Sequence, residues 1–116
     1  GSDVDSEHYR ELLRIARDSR TPALALEPTP RLPLKDRDTR IAAQVAAAAR
    51  AHEDCLLVVV LGQSHLLGHG RVPARTGLPS LLVGATPPRA LVQQFPRRSP
   101  HDLLRTDQGL WFFVLD

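Results

Sequence analysis

A short segment that follows the most apolar run of the chain holds the residues best suited by type and spacing to bind a ligand. Residues 62–65 read Gly-Gln-Ser-His, and a loop with several glycines continues from there to residue 75. Imidazole is the side chain best suited to bind a metal or exchange a proton near neutral pH, and a glycine lets a ligand approach the backbone closely. We therefore place the candidate site here, with five residues as its members: His65, Gly62, His69, Arg71 and Arg75.

Two kinds of catalytic or metal chemistry are weaker interpretations of the same segment. His65 and His69 are four residues apart, which suits a metal on a helix face, but Gly68 and Gly70 oppose a helix here. Ser64 follows Gly62 as in a nucleophile elbow, yet Leu66 stands where such an elbow needs a second glycine. The segment therefore favours neither a closed zinc site nor a serine hydrolase, and it leaves open whether His65 binds a ligand or is a structural, hydrogen-bonded residue.

Acidic side chains elsewhere in the chain have two interpretations. Glu27, at the end of a short apolar run, is expected on the same sheet edge as His65, where it could orient the imidazole or act as an acid or base. A local cap or salt bridge is the simpler role for Glu27. The alternating charges of residues 36–40 stand at a predicted helix start. Helix capping and surface ion pairs explain that cluster most simply, with Asp36 or Asp38 as the cap.

The hydrophobic pattern predicts the elements that must position these residues. Helical spacing of apolar residues indicates helices over residues 6–19 and from 36 or 38 to about 51, a helical turn near 73–76, and a short helix over 87–94. The uninterrupted, valine-rich run 55–61 is typical of a strand that is covered on both faces, so we expect it to be the central strand. Further strands are predicted at 23–26, 78–84 and 110–115. The order of elements predicts an α/β fold with a mixed, mainly parallel sheet flanked by helices, similar to a three-layer αβα arrangement.

The length and composition of the chain limit the number of domains and the classes of partner that we expect. We interpret residues 1–5 as a tag remnant and disordered start and residues 6–116 as a single α/β domain. The length of the chain is typical of one domain. Arginine supplies nearly all of the positive charge, but the formal net charge is only +2 and no aromatic residues are interleaved with the basic ones. Nucleic acid is therefore not an expected partner.

Three blocks in order resemble a known family. They are Arg37-Asp38-Thr39-Arg40-Ile41-Ala42, then residues 57–65 ending in Gly-Gln-Ser-His, then Gly70-Arg71-Val72-Pro73-Ala74-Arg75. Their order and spacing resemble the C-terminal half of the ChaN-like haem-binding lipoproteins, which are relatives of the Tiki, TraB and erythromycin-esterase group. The resemblance is best over residues 6–85, and it implies that this domain is the C-terminal part of a larger one.

The resemblance implies a non-enzymatic module that binds haem in bacterial iron acquisition, in the periplasm or at the outer membrane, and often as a homodimer. Any membrane attachment would come from an upstream lipid anchor that this chain does not contain. His65 matches the family's histidine and would be an axial or hydrogen-bonding residue, while Arg71 or Arg75 would pair with the haem propionates. Two alternatives remain open at this point. One is half of a metal-dependent hydrolase of the Tiki or erythromycin-esterase type, and the other is a degenerate interaction or scaffold domain.

Overall fold

The computed structural model describes residues 2–26, 31–68, 70–106 and 109–115, and within residues 2–6 only the backbone. The helices are α1 (Ser2–Asp18), α2 (Leu34–Ala51), α3 (Val72–Thr76) and α4 (Arg89–Gln94), with a single 3-10 turn at Gln63–His65. The strands are β1 (Leu81–Gly84), β2 (Leu104–Thr106) and β3 (Gly109–Phe113). Within the described residues no helix is long and apolar enough to cross a bilayer.

The strands form one small mixed sheet in the order β1-β3-β2. β1 runs parallel to β3, with Leu82 opposite Trp111, and β2 runs antiparallel to β3, with Leu104 also opposite Trp111. The predicted α/β class is therefore confirmed at the level of helices combined with a mixed open sheet. β1 lies at one edge of this sheet.

A first apolar core covers one face of the sheet. Trp111 and Phe113, on alternate positions of β3, are 1% and 2% exposed, and their rings stack with centroids 5.3 Å apart. Burying two aromatic side chains of this size supplies most of the apolar area that such a small sheet can remove from water. The other members of the core are buried residues of β1, β2 and α4 and partly buried residues of the loops: Leu82, Leu91, Leu104, Leu66, Leu67 and Phe95.

A second core lies between α2 and α3. Ile41, Ala42 and Val45 of α2 pack against Val72 of α3, and Leu26, Leu57 and Leu61 pack against this cluster from outside. The small alanine-rich face of α2 permits the close approach of α3, and alanine also has the highest helix propensity. The two cores are separate clusters, so something other than apolar contact must fix their relative position.

Helix α2 begins earlier than the charge pattern predicts. Its first residue is Leu34, Pro33 occupies the N-cap position, and the carbonyl of Pro33 accepts hydrogen bonds from the backbone N–H groups of Asp36 and Arg37. No side chain caps the helix. The prediction that Asp36 or Asp38 is the cap is therefore wrong, although Asp36 in the first turn still suits the helix dipole.

Several other boundaries also differ from the sequence prediction. α1 begins at Ser2 and ends at Asp18, whereas the helical spacing predicts a helix over residues 6–19. Residues 23–26 form no strand, and Leu26 packs on the second core instead. α3, β1, α4 and β3 lie within about three residues of their predicted positions.

The largest correction concerns residues 55–61, which we expected to be the central strand. Among the described residues they pair with no strand and belong to no helix or strand. Leu57 and Leu61 contact the second core, but Leu56 is 92% and Val58 is 83% exposed. The run is therefore covered on one side at most, and the prediction that it is buried on both faces is wrong.

Replacing Gly84 by alanine should destabilise the sheet. A Cβ at this position would lie 2.7 Å and 2.9 Å from two carbon atoms of the Phe113 ring, closer than carbon atoms pack in proteins. Because Phe113 is buried beside Trp111, the ring has no room to move, and we expect a loss of about 1–3 kcal/mol in the free energy of unfolding.

The measurement is urea unfolding followed by tryptophan fluorescence, with Gly62→Ala as the matched control. A Cβ at Gly62 would meet only ordinary contact, 3.8 Å from Cδ2 of His65, so that variant should stay within about 0.5 kcal/mol of the parent protein. Equal stability of the two variants would contradict this account of the core.

Candidate functional site

The centre of the candidate site is a buried carboxylate, Asp38, on the inner face of α2. Its side chain is fully buried, and both oxygens are used. Nδ1 of His65 lies 2.6 Å from Oδ1, and Nη1 of Arg71 donates to Oδ2 at 2.7 Å. A buried carboxylate is costly unless it is hydrogen-bonded and its charge is balanced, and these two partners meet both requirements.

Three elements bring together Asp38, His65 and Arg71, which we call the triad. Asp38 lies one turn into α2, His65 ends the 3-10 turn, and Arg71 occupies the N-cap position of α3. In the turn, the backbone N–H of His65 donates to the carbonyl of Gly62 at 3.0 Å. The chain therefore turns directly after residues 55–61. The triad therefore connects segments that are 27 and 33 residues apart in sequence.

The charges of the triad determine what the imidazole can do. The guanidinium of Arg71 already balances the negative charge of Asp38, so the imidazole need not carry a charge to hold its bond to Oδ1. With Nδ1–H donating to the carboxylate, the lone pair of the neutral ring lies on Nε2. No described residue bonds to Nε2 of His65, and the side chain is 16% exposed. The site thus presents one oriented nitrogen lone pair.

The remaining predicted site residues have different surroundings. Gly62 precedes the 3-10 turn with a φ of −61°, a conformation open to any residue. Arg75 is exposed and bridges two segments, since its Nε donates to the carbonyl of Gly70 and its Nη1 lies 3.1 Å from Oγ1 of Thr39. His69 lies outside the described residues. The structure therefore brings His65 and Arg71 together on Asp38, and Arg75 supports the adjoining loop.

The sequence interpretation missed Asp38, which it assigned to capping and surface ion pairs. A signal was present, because Asp38 stands three, four and seven residues before Ile41, Ala42 and Val45, the buried residues of α2. An acidic residue on the apolar stripe of a helix must be buried, and it therefore needs partners. The role predicted for Glu27, orienting His65, is performed by Asp38, and Glu27 itself lies outside the described residues.

The turn has apolar surroundings on its other side. Leu66 and Leu67 pack on the sheet core, and an apolar recess of about 260 Å³ lies between Leu67, Gly68 and α4. In the part of the chain that the structure describes, no group of three or more histidine, cysteine, aspartate or glutamate side chains could hold a metal ion. Within the described residues the site therefore combines the imidazole of His65 and the guanidinium of Arg71 on one carboxylate, followed by the apolar side chains of Leu66 and Leu67.

Replacing Asp38 by asparagine should destabilise the protein strongly. The amide can keep one hydrogen bond but leaves the partly buried guanidinium of Arg71, 25% exposed, without its counter-charge. Breaking a buried ion pair by removing one partner costs on the order of 3 kcal/mol in the free energy of unfolding.

The matched control is Asp36→Asn, because Asp36 is an exposed carboxylate in the first turn of the same helix. Urea unfolding should place this control within about 0.5 kcal/mol of the parent protein. If both variants lost the same small amount of stability, Asp38 would not be the buried ion-pair partner described above.

Comparisons with known proteins add no assignment. No family model matches the chain, and neither a curated protein nor a solved structure matches it. What the triad does must therefore be argued from its geometry.

Proposed function

We propose that this chain is a non-enzymatic ligand-binding module whose ligand is haem, held through Nε2 of His65. The observation that supports the proposal best is the hydrogen bond between Nδ1 of His65 and the buried carboxylate of Asp38. Histidines that bind metals characteristically donate their second ring N–H to a carboxylate or carbonyl, which fixes the tautomer and the ring orientation. An imidazole held in this way is a suitable axial ligand for haem iron.

The surrounding residues fit such a group in their chemistry. His65 would bind the iron, and the exposed guanidinium of Arg75, or the partly exposed one of Arg71, would pair with the propionates. The exposed apolar side chains of Leu56, Val58 and Val60 directly precede the turn and offer surface for a porphyrin. When bound, haem would supply an iron centre whose properties the axial imidazole helps to set.

The finer fold prediction is part of the same proposal. A three-layer arrangement with a mainly parallel sheet requires at least one more strand beside β1, the edge strand. The valine-rich run 55–61 has the composition of that strand. Its place would put His65 at the carboxyl end of the sheet, where ligands of α/β proteins gather.

Hemin titration of the purified protein tests the proposal. We expect the Soret band to shift on binding and the shift to be lost in His65→Ala. In Asp38→Asn, with its folding checked by circular dichroism, the affinity should fall by about tenfold or more because a neutral amide replaces the carboxylate that holds the ring. His52→Ala is the control, since His52 is an exposed histidine at the C-terminal end of α2 and should leave the titration unchanged.

Two results would contradict the proposal. One is the absence of any Soret shift in the parent protein, and the other is a shift that His65→Ala and His52→Ala leave equally intact. In the first case the alternative of a degenerate interaction domain would gain support, because the large exposed apolar residues between positions 56 and 60 would then need another explanation.

A second candidate function is favoured by the same hydrogen bond. A histidine whose Nδ1–H is held by a carboxylate is also the arrangement of a general base, as the hydrolase alternative requires. That alternative needs further metal ligands besides His65. Elemental analysis of the protein, together with hydrolysis of an activated ester with and without added zinc, checks it. A stoichiometric metal and a zinc-dependent rate that falls in His65→Ala are expected only if the protein is a hydrolase.

A further inference from the structure

The apolar run before the site belongs to no described helix or strand. We call residues 56–61 the open segment. No described residue forms a backbone hydrogen bond with it, and only Leu57 and Leu61 pack on the second core. The segment consists of leucine and valine alone, with three valines in a row, a composition that favours β structure. Its backbone is therefore available for pairing along its length.

The sheet offers a matching free edge at β1. Within the described residues β1 pairs with β3 on one side and with no strand on the other. The carbonyl of Gly84 accepts a hydrogen bond from the N–H of Val114, the residue after β3, so the peptide groups of Gly84 face β3. Because peptide groups alternate between the two edges of a strand, those of Leu81 and Val83 face the free edge. No charged residue or proline protects β1.

We propose that the open segment pairs in parallel with the free edge of β1 when a ligand binds His65, which extends the sheet to four strands. The connection between them, residues 62–80, contains α3, and helix-containing crossovers of more than a dozen residues join parallel neighbours. α3 also packs in the core that holds Leu57 and Leu61, so it already lies on one face of the segment. The free edge of β1 and the unpaired backbone of the open segment each supply the hydrogen-bonding groups that the other lacks.

Ligand binding is the natural trigger because the open segment runs directly into the site. Its last residue, Leu61, is followed by Gly62 and the turn that carries His65, so a ligand that fixes His65 also fixes the end of the segment. Pairing alone would leave Leu56 and Val58 on a bare face, with little apolar burial to offset the entropy of ordering. A ligand that prefers the paired state shifts the population toward it. This inference rests on the proposed haem-binding function.

Hydrogen exchange followed by mass spectrometry, with and without hemin, tests the switch. The informative variant is Val83→Pro, which removes an N–H at the free edge while leaving the bonds between β1 and β3, and Val83→Ala is its matched control. Hemin should slow exchange of the open segment by about tenfold or more in the parent protein and in Val83→Ala, but not in Val83→Pro. By linkage, Val83→Pro should also bind hemin several-fold more weakly than Val83→Ala.

The outcomes separate the switch from the function. If hemin binds but the open segment still exchanges rapidly, or if Val83→Pro behaves like Val83→Ala, the switch is wrong and the binding function stands. If hemin does not bind the parent protein, both proposals fail. Circular dichroism checks that Val83→Pro folds, and Leu81→Pro with Leu81→Ala replaces the pair if it does not, because Leu81 faces the same edge.

Discussion

The structure depends on the burial of one carboxylate. Asp38 has no contact with solvent, so the negative charge must be balanced and both oxygens must be bonded inside the protein. Arg71 and His65 meet these needs, and they come from two other segments of the chain. Removing either partner would leave a buried charge or a buried acceptor unmatched. The positions of α2, the 3-10 turn and α3 are therefore set together rather than one by one.

The burial of Asp38 also determines which groups of the site are engaged in the fold and which are not. The guanidinium of Arg71 is engaged by Asp38, and that of Arg75 bridges Gly70 and Thr39, so both arginines have structural partners. Nε2 of His65 has no bonding partner among the described residues. Nε2 of His65 is therefore the ring atom of the triad open to a further contact, while each arginine keeps only its remaining N–H groups for one.

Local patterns predicted those parts of the structure that local interactions decide. The helices and the last strand follow from helical spacing and aromatic content, and the end of the apolar run is where the sequence predicts the candidate site. Asp38 was missed because charge at a helix start usually means capping, whereas the spacing from Asp38 to Ile41 and Val45 indicates a buried face. The state of residues 55–61 could not be predicted, since valine content favours a strand but strand pairing depends on residues distant in sequence.

The polar triad also explains how a small chain with two separate apolar cores keeps one arrangement. Apolar contact is not directional, so two clusters joined by a loop could pack in several relative positions. The turn that carries His65 continues into Leu66 and Leu67, which belong to the sheet core, while His65 itself is bonded to α2 of the other core. Hydrogen bonds to a buried carboxylate tolerate little change in distance or angle, so they fix the orientation that the apolar contacts leave open. A ligand bound at Nε2 would act on the connection between the two cores. A displacement of the imidazole would affect α2 through Asp38 and the sheet through the turn. The candidate site thus lies where the turn that carries His65 joins the two cores.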